Sequence, residues 1–191
     1  MKQLLIISSL ILLTLQLFSQ KVAIINTIFE DSVNLEITKS LDHKYPNKLY
    51  LLKETDTWNK DILFPDNIGK RHAESQNTTT LLDSLLGNRF SKKDRNLLFS
   101  KAIHLSSTRI KHVAEYIHLI NSIKNIPAGF FFSISEPAYH KKYCLLNLTV
   151  YFKDQNTKSV TESYFGQVFF LYQLLNNNSW VLVKKTNNLL L

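Results

Sequence analysis

Tyr143–Phe152 reads YCLLNLTVYF, and this stretch decides the fold of the chain. Successive side chains of a β-strand point to opposite faces of its sheet, so the stretch divides into two sets. One set is wholly apolar: Cys144, Leu146, Leu148, Val150 and Phe152. The other set mixes polar and apolar side chains: Leu145, Asn147, Thr149 and Tyr151. This alternation predicts a strand with one buried face.

Tyr164–Leu175 divides in the same way. Its first set is Val168, Phe170, Tyr172 and Leu174, and its second set is Phe165, Gln167, Phe169, Leu171 and Gln173. We expect the first sets of both strands to pack against helices. The second sets have the composition of a face that is half covered, either by a loop over residues 54–78 or by a ligand. The candidate binding face therefore consists of Tyr151, Phe165, Phe169 and Leu171.

Further strands are predicted on both sides of this pair. Phe130–Ser135 and Trp180–Lys185 are rich in aromatic and β-branched residues, and Lys48–Lys53 predicts a short earlier strand. Asn176–Ser179 predicts a hairpin loop, because asparagine tolerates positive φ better than most residues. Short connections favour antiparallel pairing, so the C-terminal part is predicted to be an antiparallel meander.

The chain before these strands is predicted to be largely helical. Helical spacing or capping residues mark Val22 to about Leu41, Leu81–Leu86 ending at Gly87-Asn88, and a helix through about Ala102. At the start of the last helix, Ser91 and Asp94 fit a capping box in which Asp94 reaches back. Residues 54–78 are predicted to form a long polar loop, where the early part of the chain could carry function.

Residues 106–124 allow two interpretations. Ser106-Ser107-Thr108 fits the cap of a helix with one apolar stripe, which comprises Ile110, Val113, Ile117 and Ile120. A strand over Arg109–Val113 that leads into a shorter helix is the alternative. Helices first and strands last predict an α+β fold, with N-terminal helices packed on a C-terminal antiparallel β-sheet meander. We expect residues 21–191 to form a single domain.

The first residues have the layout of an export signal. A positively charged start is followed by the apolar run Leu4–Phe18 and by a short polar exit at Ser19-Gln20-Lys21. The run is shorter than the roughly 20 apolar residues that a membrane-spanning helix needs. We therefore predict a cleaved signal over residues 1–20 and a periplasmic or secreted protein with no transmembrane anchor after cleavage.

Cysteine and charge constrain the exported protein further. Cys144 is the only cysteine, so no internal disulfide is available, and its place on the apolar face predicts a buried, inert thiol. Residues 84–191 contain fourteen Lys/Arg and five Asp/Glu, a net charge of +9. A basic surface attracts anions or simply keeps a protein soluble. Nucleic acid is an unlikely partner for an exported protein, whereas an envelope polymer or an extracellular protein fits.

Motifs of known chemistry are missing from the sequence. It has no G-x-S-x-G, no G-x-G-x-x-G, no phosphate-binding loop and no H-E-x-x-H, so it predicts no cofactor. His112 and His118 are six positions apart, which does not suit a shared metal on a helix. The remaining histidines are His43, His72, His104 and His140. A hydrolase site with His140 beside Glu136 and Tyr139 is the catalytic alternative.

Part of the second half carries a resemblance. Phe132–Pro137, Lys142–Leu145 and the hairpin that ends in Asn178–Val183 resemble segments of small exported Bacteroidota proteins whose activity is uncharacterised. The resemblance implies export and a helical N-terminal part, followed by a strand meander that closes on a tryptophan. With the composition and the motif search, it leads us to expect a non-catalytic binding or interaction module. A small hydrolase and a structural envelope component are the alternatives.

Overall fold

The computed structural model of the chain describes residues 21–29, 49–59, 63, 81–115, 117–122, 129–153 and 163–189. It divides into two compact units. Residues 1–47 and 112–115 belong to the first unit, and residues 48–111 and 116–191 belong to the second. The predicted export signal lies outside the described residues, and so does most of the predicted loop 54–78. The single domain over residues 21–191 stays a prediction.

The described part of the first unit contains a helix. Residues 21–29 are helical, which confirms the start of the helix predicted from Val22, whereas its continuation to Leu41 lies outside the described residues. The fully buried side chains are those of Ile24, Ile25, Ile28 and Phe29. Residues three and four apart are neighbours on a helix surface, so these four form one buried stripe. Asn26 accepts a hydrogen bond of 3.0 Å from the backbone N–H of Ala114.

The second unit is built on a β-sheet of seven strands among the residues described. The strands are β1 (Leu49–Leu52), β2 (Ile117–Ile120), β3 (Gly129–Ile134), β4 (Ala138–His140), β5 (Tyr143–Lys153), β6 (Ser163–Leu174) and β7 (Trp180–Leu189). Six of them follow the order β2-β1-β3-β5-β6-β7, and β4 pairs with β5 beside this path. The chain thus has both helices and a mostly antiparallel sheet, which is the predicted α+β class.

The C-terminal meander is present as predicted. Strands β3, β5, β6 and β7 pair antiparallel with one another in that order. In the hairpin between β6 and β7, Asn178 has a φ of 62°, a left-handed conformation that asparagine tolerates well. Asn177 accepts a hydrogen bond of 3.1 Å from the backbone N–H of Ser179, which closes the loop. The prediction of a hairpin here is confirmed.

Two further strands extend the sheet in parallel. β1 pairs in parallel with β2 on one side and with β3 on the other, so the sheet is not antiparallel throughout. The three strands β2, β1 and β3 therefore end at the same edge of the sheet. This arrangement was not predicted, because parallel pairs join segments that are far apart in sequence.

Both interpretations of residues 106–124 are wrong. Ile117–Ile120 is strand β2, where a helix was expected in either case. Arg109 forms an isolated antiparallel bridge with Glu54, and the backbone N–H of Ile110 donates to the carbonyl of Lys53 at 2.6 Å. The apolar spacing fits a helix, but pairing with β1 satisfies the backbone of this short segment instead.

The two predicted helices before the sheet are confirmed. The helix over residues 21–29 is α1, and residues 81–86 form α2. A 3₁₀ turn over Gly87–Arg89 follows α2, and Gly87 has a φ of 51° there. Helix α3 spans Lys92–Ala102. Ser91 caps α3 by accepting a hydrogen bond of 3.1 Å from the backbone N–H of Asp94. The Asp94 carboxylate accepts from the Ser91 hydroxyl at 2.8 Å, so the reciprocal bond runs between the side chains.

A core cluster joins these two helices to the sheet, and it corrects the predicted orientation of the sheet. The helices pack on the second set of strand residues, represented by Leu145, Phe169 and Leu171. From the helical side the cluster includes Leu82, Leu85, Leu86, Leu98, Phe99 and Ala102. The first set is buried as well, as Leu146, Leu148 and Phe170 show. Strand alternation separates two faces but does not say which face a given helix covers.

Candidate functional site

A cleft lies where the parallel strands β1 and β2 end. The chain leaves β1 at Leu52 and β2 at Ile120, and the residues that follow both strands line the cleft. Its volume is about 500 Å³. The lining residues are Leu52, Lys53, Glu54, Thr55, Asp56, Thr57, Ser107, Arg109 and Asn121. The carboxyl ends of parallel strands are a common position for ligand sites in α/β sheets, so this cleft is the candidate functional site.

Backbone hydrogen bonds hold the segment after β1 from two sides. On one side, the backbone N–H of Lys53 donates to the carbonyl of Ile120 at 2.9 Å. On the other side, the N–H of Asp56 donates to Ile134 at 2.7 Å, and the N–H of Glu136 donates to Asp56 at 3.0 Å. The backbone of this segment is thus hydrogen-bonded to the ends of β2 and β3.

The carboxylate of Glu136 connects this segment to Thr108 by hydrogen bonds. Oε2 of Glu136 accepts hydrogen bonds from the hydroxyls of Thr55, at 2.8 Å, and Thr108, at 2.7 Å. Thr55 is 2% exposed, and its hydroxyl oxygen also accepts from the backbone N–H of Thr108 at 2.8 Å. The indole N–H of Trp58 donates to the carbonyl of Glu136 at 2.7 Å. Glu136 therefore organises the cleft wall.

Asp56 is the half-buried carboxyl group of the cleft. The hydroxyl of Ser133 donates a hydrogen bond to it. Burial raises the pKa of Asp56, and the Ser133 hydrogen bond opposes part of that increase. No basic side chain forms an ion pair with Asp56 among the residues described. Burial therefore makes the ionised form of Asp56 less favourable than it is in water.

The other charged residues of the cleft, like Asp56, form no ion pair among the residues described. Glu54 and Arg109 are exposed, lie opposite each other in an antiparallel bridge, and have no ion pair within the described ranges. The same is true of the half-buried Lys53. Two cationic and two acidic side chains thus surround one cleft without neutralising one another by direct contact.

The predicted binding face is divided by the structure. Phe169 and Leu171 are fully buried in the core cluster under α2 and α3, so they are core residues and not surface residues. Tyr151 is half-buried, and the side chain of Phe165 is outside the described part. A bulge in the β5–β6 pairing places Tyr164, and not Phe165, opposite Tyr151. Ligand binding at Tyr151 stays a prediction.

Tyr151 belongs to a row of rings that crosses five strands. Cross-strand pairing aligns His118, Tyr50, Phe131, Tyr151 and Tyr164 on one face of the sheet. The rings of Phe131 and Tyr151 stack with centroids 5.0 Å apart. Phe131 is fully buried, whereas Tyr164 is 42% exposed. Such pairs contribute to sheet stability, and the two ends of the row, His118 and Tyr164, are its exposed members.

His140 lies in a different environment from the predicted one. Its Nε2 is 2.9 Å from Oδ1 of Asp94, and the ammonium group of Lys141 is 2.9 Å from the same oxygen. Hydrogen bonds from Lys141, His140 and Ser91 lower the pKa of Asp94. Asp94 stands between the serine and the histidine, whereas a nucleophilic triad needs the histidine between serine and carboxylate. The cluster therefore has the geometry of a reinforced helix cap.

Two residues of the predicted catalytic group have different hydrogen-bond partners in the structure. Glu136 belongs to the threonine network of the cleft, and His140 bonds to Asp94. Burial raises the pKa of the Tyr139 hydroxyl, which lies beside the Cys144 thiol, and burial also raises the pKa of that thiol. Cys144 is free and buried, as predicted. No group of three or more His, Cys, Asp or Glu side chains in the described ranges is placed to hold a metal ion.

Sequence reasoning missed most of the cleft. Lys53, Asp56 and Arg109 were not singled out as a site, although residues 54–78 were indicated as a segment that could carry function. A polar run directly after a predicted strand, Glu54-Thr55-Asp56-Thr57, was the available indication. The contribution of Arg109 depends on the bridge to Glu54, which joins positions far apart in the sequence.

Comparison of the chain with protein-family models, with curated proteins and with solved structures finds no match in any of the three. Within the described residues, none of the helices combines the length and the apolar character needed to cross a bilayer.

Proposed function

We propose that this protein is an exported, non-catalytic binding module whose ligand site is the cleft at the ends of β1 and β2. The observation that carries the proposal is the cleft itself, of about 500 Å³, whose lining includes four charged and three hydroxyl residues. Small-molecule sites commonly have volumes of roughly 300–1,000 Å³ and a few well-placed polar groups. A ligand here is a small molecule or one unit of an envelope polymer or extracellular protein.

A binding role fits the side chains better than a hydrolytic one. The described lining offers no histidine or cysteine as base or nucleophile. His140 is 6% exposed and engaged with Asp94, away from the lining residues. The residues of the hydrolase alternative, His140, Glu136 and Tyr139, are not among the lining residues of the cleft.

Export and the finer arrangement of the fold are part of the same proposal. The apolar run Leu4–Phe18 and the resemblance to small exported Bacteroidota proteins support a cleaved signal. We also propose that the N-terminal helices pack on the C-terminal meander. N-terminal sequencing of the native protein, with cell fractionation, should give a periplasmic or secreted chain that starts near Lys21. A cytosolic chain that starts at Met1 would contradict the proposal.

Ligand binding is best tested by a nuclear magnetic resonance screen. The purified protein is mixed with pooled metabolites and with soluble envelope polymers, and backbone amide shifts are recorded. We expect ligand-induced shifts to concentrate at residues 53–57, 107–109 and 121. Arg109→Glu should abolish them, and Lys92→Glu, an exposed charge reversal outside the lining, should leave them unchanged. Shifts that are absent, or confined to the ring row, would contradict binding at the cleft.

A further inference from the structure

The charges of the cleft indicate more about its ligand than its size does. Opposite charges that only stabilise a fold usually meet in ion pairs or are dispersed over the surface. Here Lys53, Glu54, Asp56 and Arg109 line one cavity, and none of the four takes part in an ion pair in the part of the chain that the structure describes. The cleft thus presents charged groups of both signs to whatever enters it.

The environment of Asp56 favours a cationic group in the ligand. It is half-buried, and Ser133 is its side-chain hydrogen-bond donor. Taking a carboxylate out of water is unfavourable unless a cation or several donors replace the lost hydration. A ligand ammonium group beside Asp56 would provide that compensation, with further attraction from Glu54 at the rim.

The two cationic residues of the cleft, Arg109 and Lys53, favour an anionic group in the ligand. The Arg109 guanidinium is exposed, and its fork of N–H donors suits a carboxylate. Lys53 lies at the end of β1 as a second positive charge. Bound groups of a single sign would be attracted by one pair of side chains and repelled by the other.

We propose that the cleft binds a small zwitterion that carries an ammonium group and a carboxylate, such as a short peptide with free ends. Asp56 receives the ammonium group, and Arg109 receives the carboxylate. This inference rests on the proposed function, because it names the ligand class of the same cleft.

Isothermal titration calorimetry on the full protein tests the pairing of charges. The probes are trialanine with free ends, N-acetyl-trialanine, trialanine amide and the neutral sugar maltose. Removing either ligand charge should weaken binding by about tenfold or more, since a charge-assisted hydrogen bond is lost in each case. Maltose should bind more weakly than free trialanine.

Variants then assign each ligand end to its partner. Asp56→Asn should remove the difference between free and acetylated trialanine, and Arg109→Gln should remove the difference between the free acid and the amide. Lys111→Gln, an exposed charge outside the lining, should change neither difference. Thermal unfolding of every variant confirms that it is folded.

The possible results distinguish failure of the zwitterion proposal from failure of the proposed binding site. Equal binding of free and capped peptides would overturn the zwitterion proposal. Tight binding of maltose, weakened by Asn121→Ala, would also overturn the zwitterion proposal. That result would nevertheless support the cleft as a binding site. If no probe binds while the wider screen finds a ligand at residues 53–57, the zwitterion proposal fails and the proposed function stands. If neither experiment finds a ligand, both fail.

Discussion

The hydroxyl of Thr55 donates a hydrogen bond of 2.8 Å to Oε2 of Glu136, and this bond joins the segment after β1 to the segment after β3. Because Thr55 is 2% exposed, water cannot replace the bond readily. The same carboxylate oxygen accepts from Thr108, so three segments meet at one group. The cleft therefore depends on a partly buried polar network, in which loss of one member removes hydrogen bonds from the others.

Thr55→Val tests this network. The substitution keeps the shape of the side chain but removes one of the hydrogen bonds that Glu136 accepts and the hydroxyl oxygen that accepts from the Thr108 N–H. We therefore expect a loss of about 1–3 kcal/mol in the free energy of unfolding. Urea denaturation measures the change. Thr57→Val, at an exposed position of the same segment, should cost less than about 0.5 kcal/mol. Equal losses in the two variants would show that the network contributes little.

Asp56→Asn should stabilise the protein near neutral pH. Burial raises the pKa of Asp56 in the folded state, so ionisation is less favourable there than in the unfolded chain. Its contribution to stability is greatest below the ordinary pKa of 3.8 and is lost as the pH rises through the raised value. We expect the variant to melt about 1–3 °C higher at pH 7.

The difference in melting temperature between Asp56→Asn and the parent protein should shrink as the pH falls and disappear well below pH 3.8, where Asp56 is protonated in both states. Glu54→Gln, an exposed neighbour in the same cleft, serves as the control and should show a smaller change. A variant that is less stable than the parent at pH 7 would contradict the interpretation that burial of Asp56 dominates.

Asp94→Asn should act in the opposite direction. Hydrogen bonds from Lys141, His140 and Ser91 lower the pKa of Asp94, so its ionised form stabilises the fold above the ordinary pKa of 3.8. This contribution is lost as the pH falls through the lowered value. We expect a lower melting temperature for the variant at pH 7 and a shrinking difference from the parent in acid.

Asp83→Asn is the matched control for the Asp94 experiment, because Asp83 pairs with Arg95 at an exposed position. Exposed ion pairs contribute little, so its melting temperature should stay close to that of the parent at all pH values. Scanning calorimetry from pH 3 to pH 8 compares the three proteins. A constant deficit for Asp94→Asn across this range would indicate that the ionised carboxylate is not the stabilising form.

Phe169→Ala tests which face of the sheet the helices cover. Phe169 is fully buried in the cluster with α2 and α3, so its truncation should lower the free energy of unfolding by about 3–5 kcal/mol. Val181→Ala, at a side chain that is 45% exposed on β7, should cost less than about 1 kcal/mol. If Phe169→Ala left the free energy of unfolding unchanged, Phe169 would again be a candidate residue of the binding face.

The Cys144 thiol should be unreactive in the folded protein. It is fully buried, and burial raises its pKa, so little thiolate is available for attack. We expect iodoacetamide to modify it at pH 8 only after denaturation, with mass spectrometry of the intact chain as the readout. A Cys144→Ser variant provides the unmodified control. Fast labelling under native conditions would show that the sheet opens around this position.

Local patterns in the sequence were sufficient for several elements. Alternation in residues 143–152 identified β5, the run of asparagines identified the β6–β7 hairpin, and Ser91 with Asp94 identified the start of α3. Each of these depends on neighbours within a few residues, through side-chain alternation, positive φ or a cap. Such information is contained in the sequence itself.

The tertiary structure decided the rest, because those features depend on pairs that are distant in sequence. Residues 117–120 became a strand through parallel pairing with β1, although their spacing fits a helix. The identity of the covered sheet face, with Phe169 beneath the helices, depended on how separate elements pack. The cleft required β1, β2 and β3 to end at one edge, which brings Asp56 and Arg109 around one cavity. Hydrogen bonding and packing between remote segments outweigh local preference at each of these places.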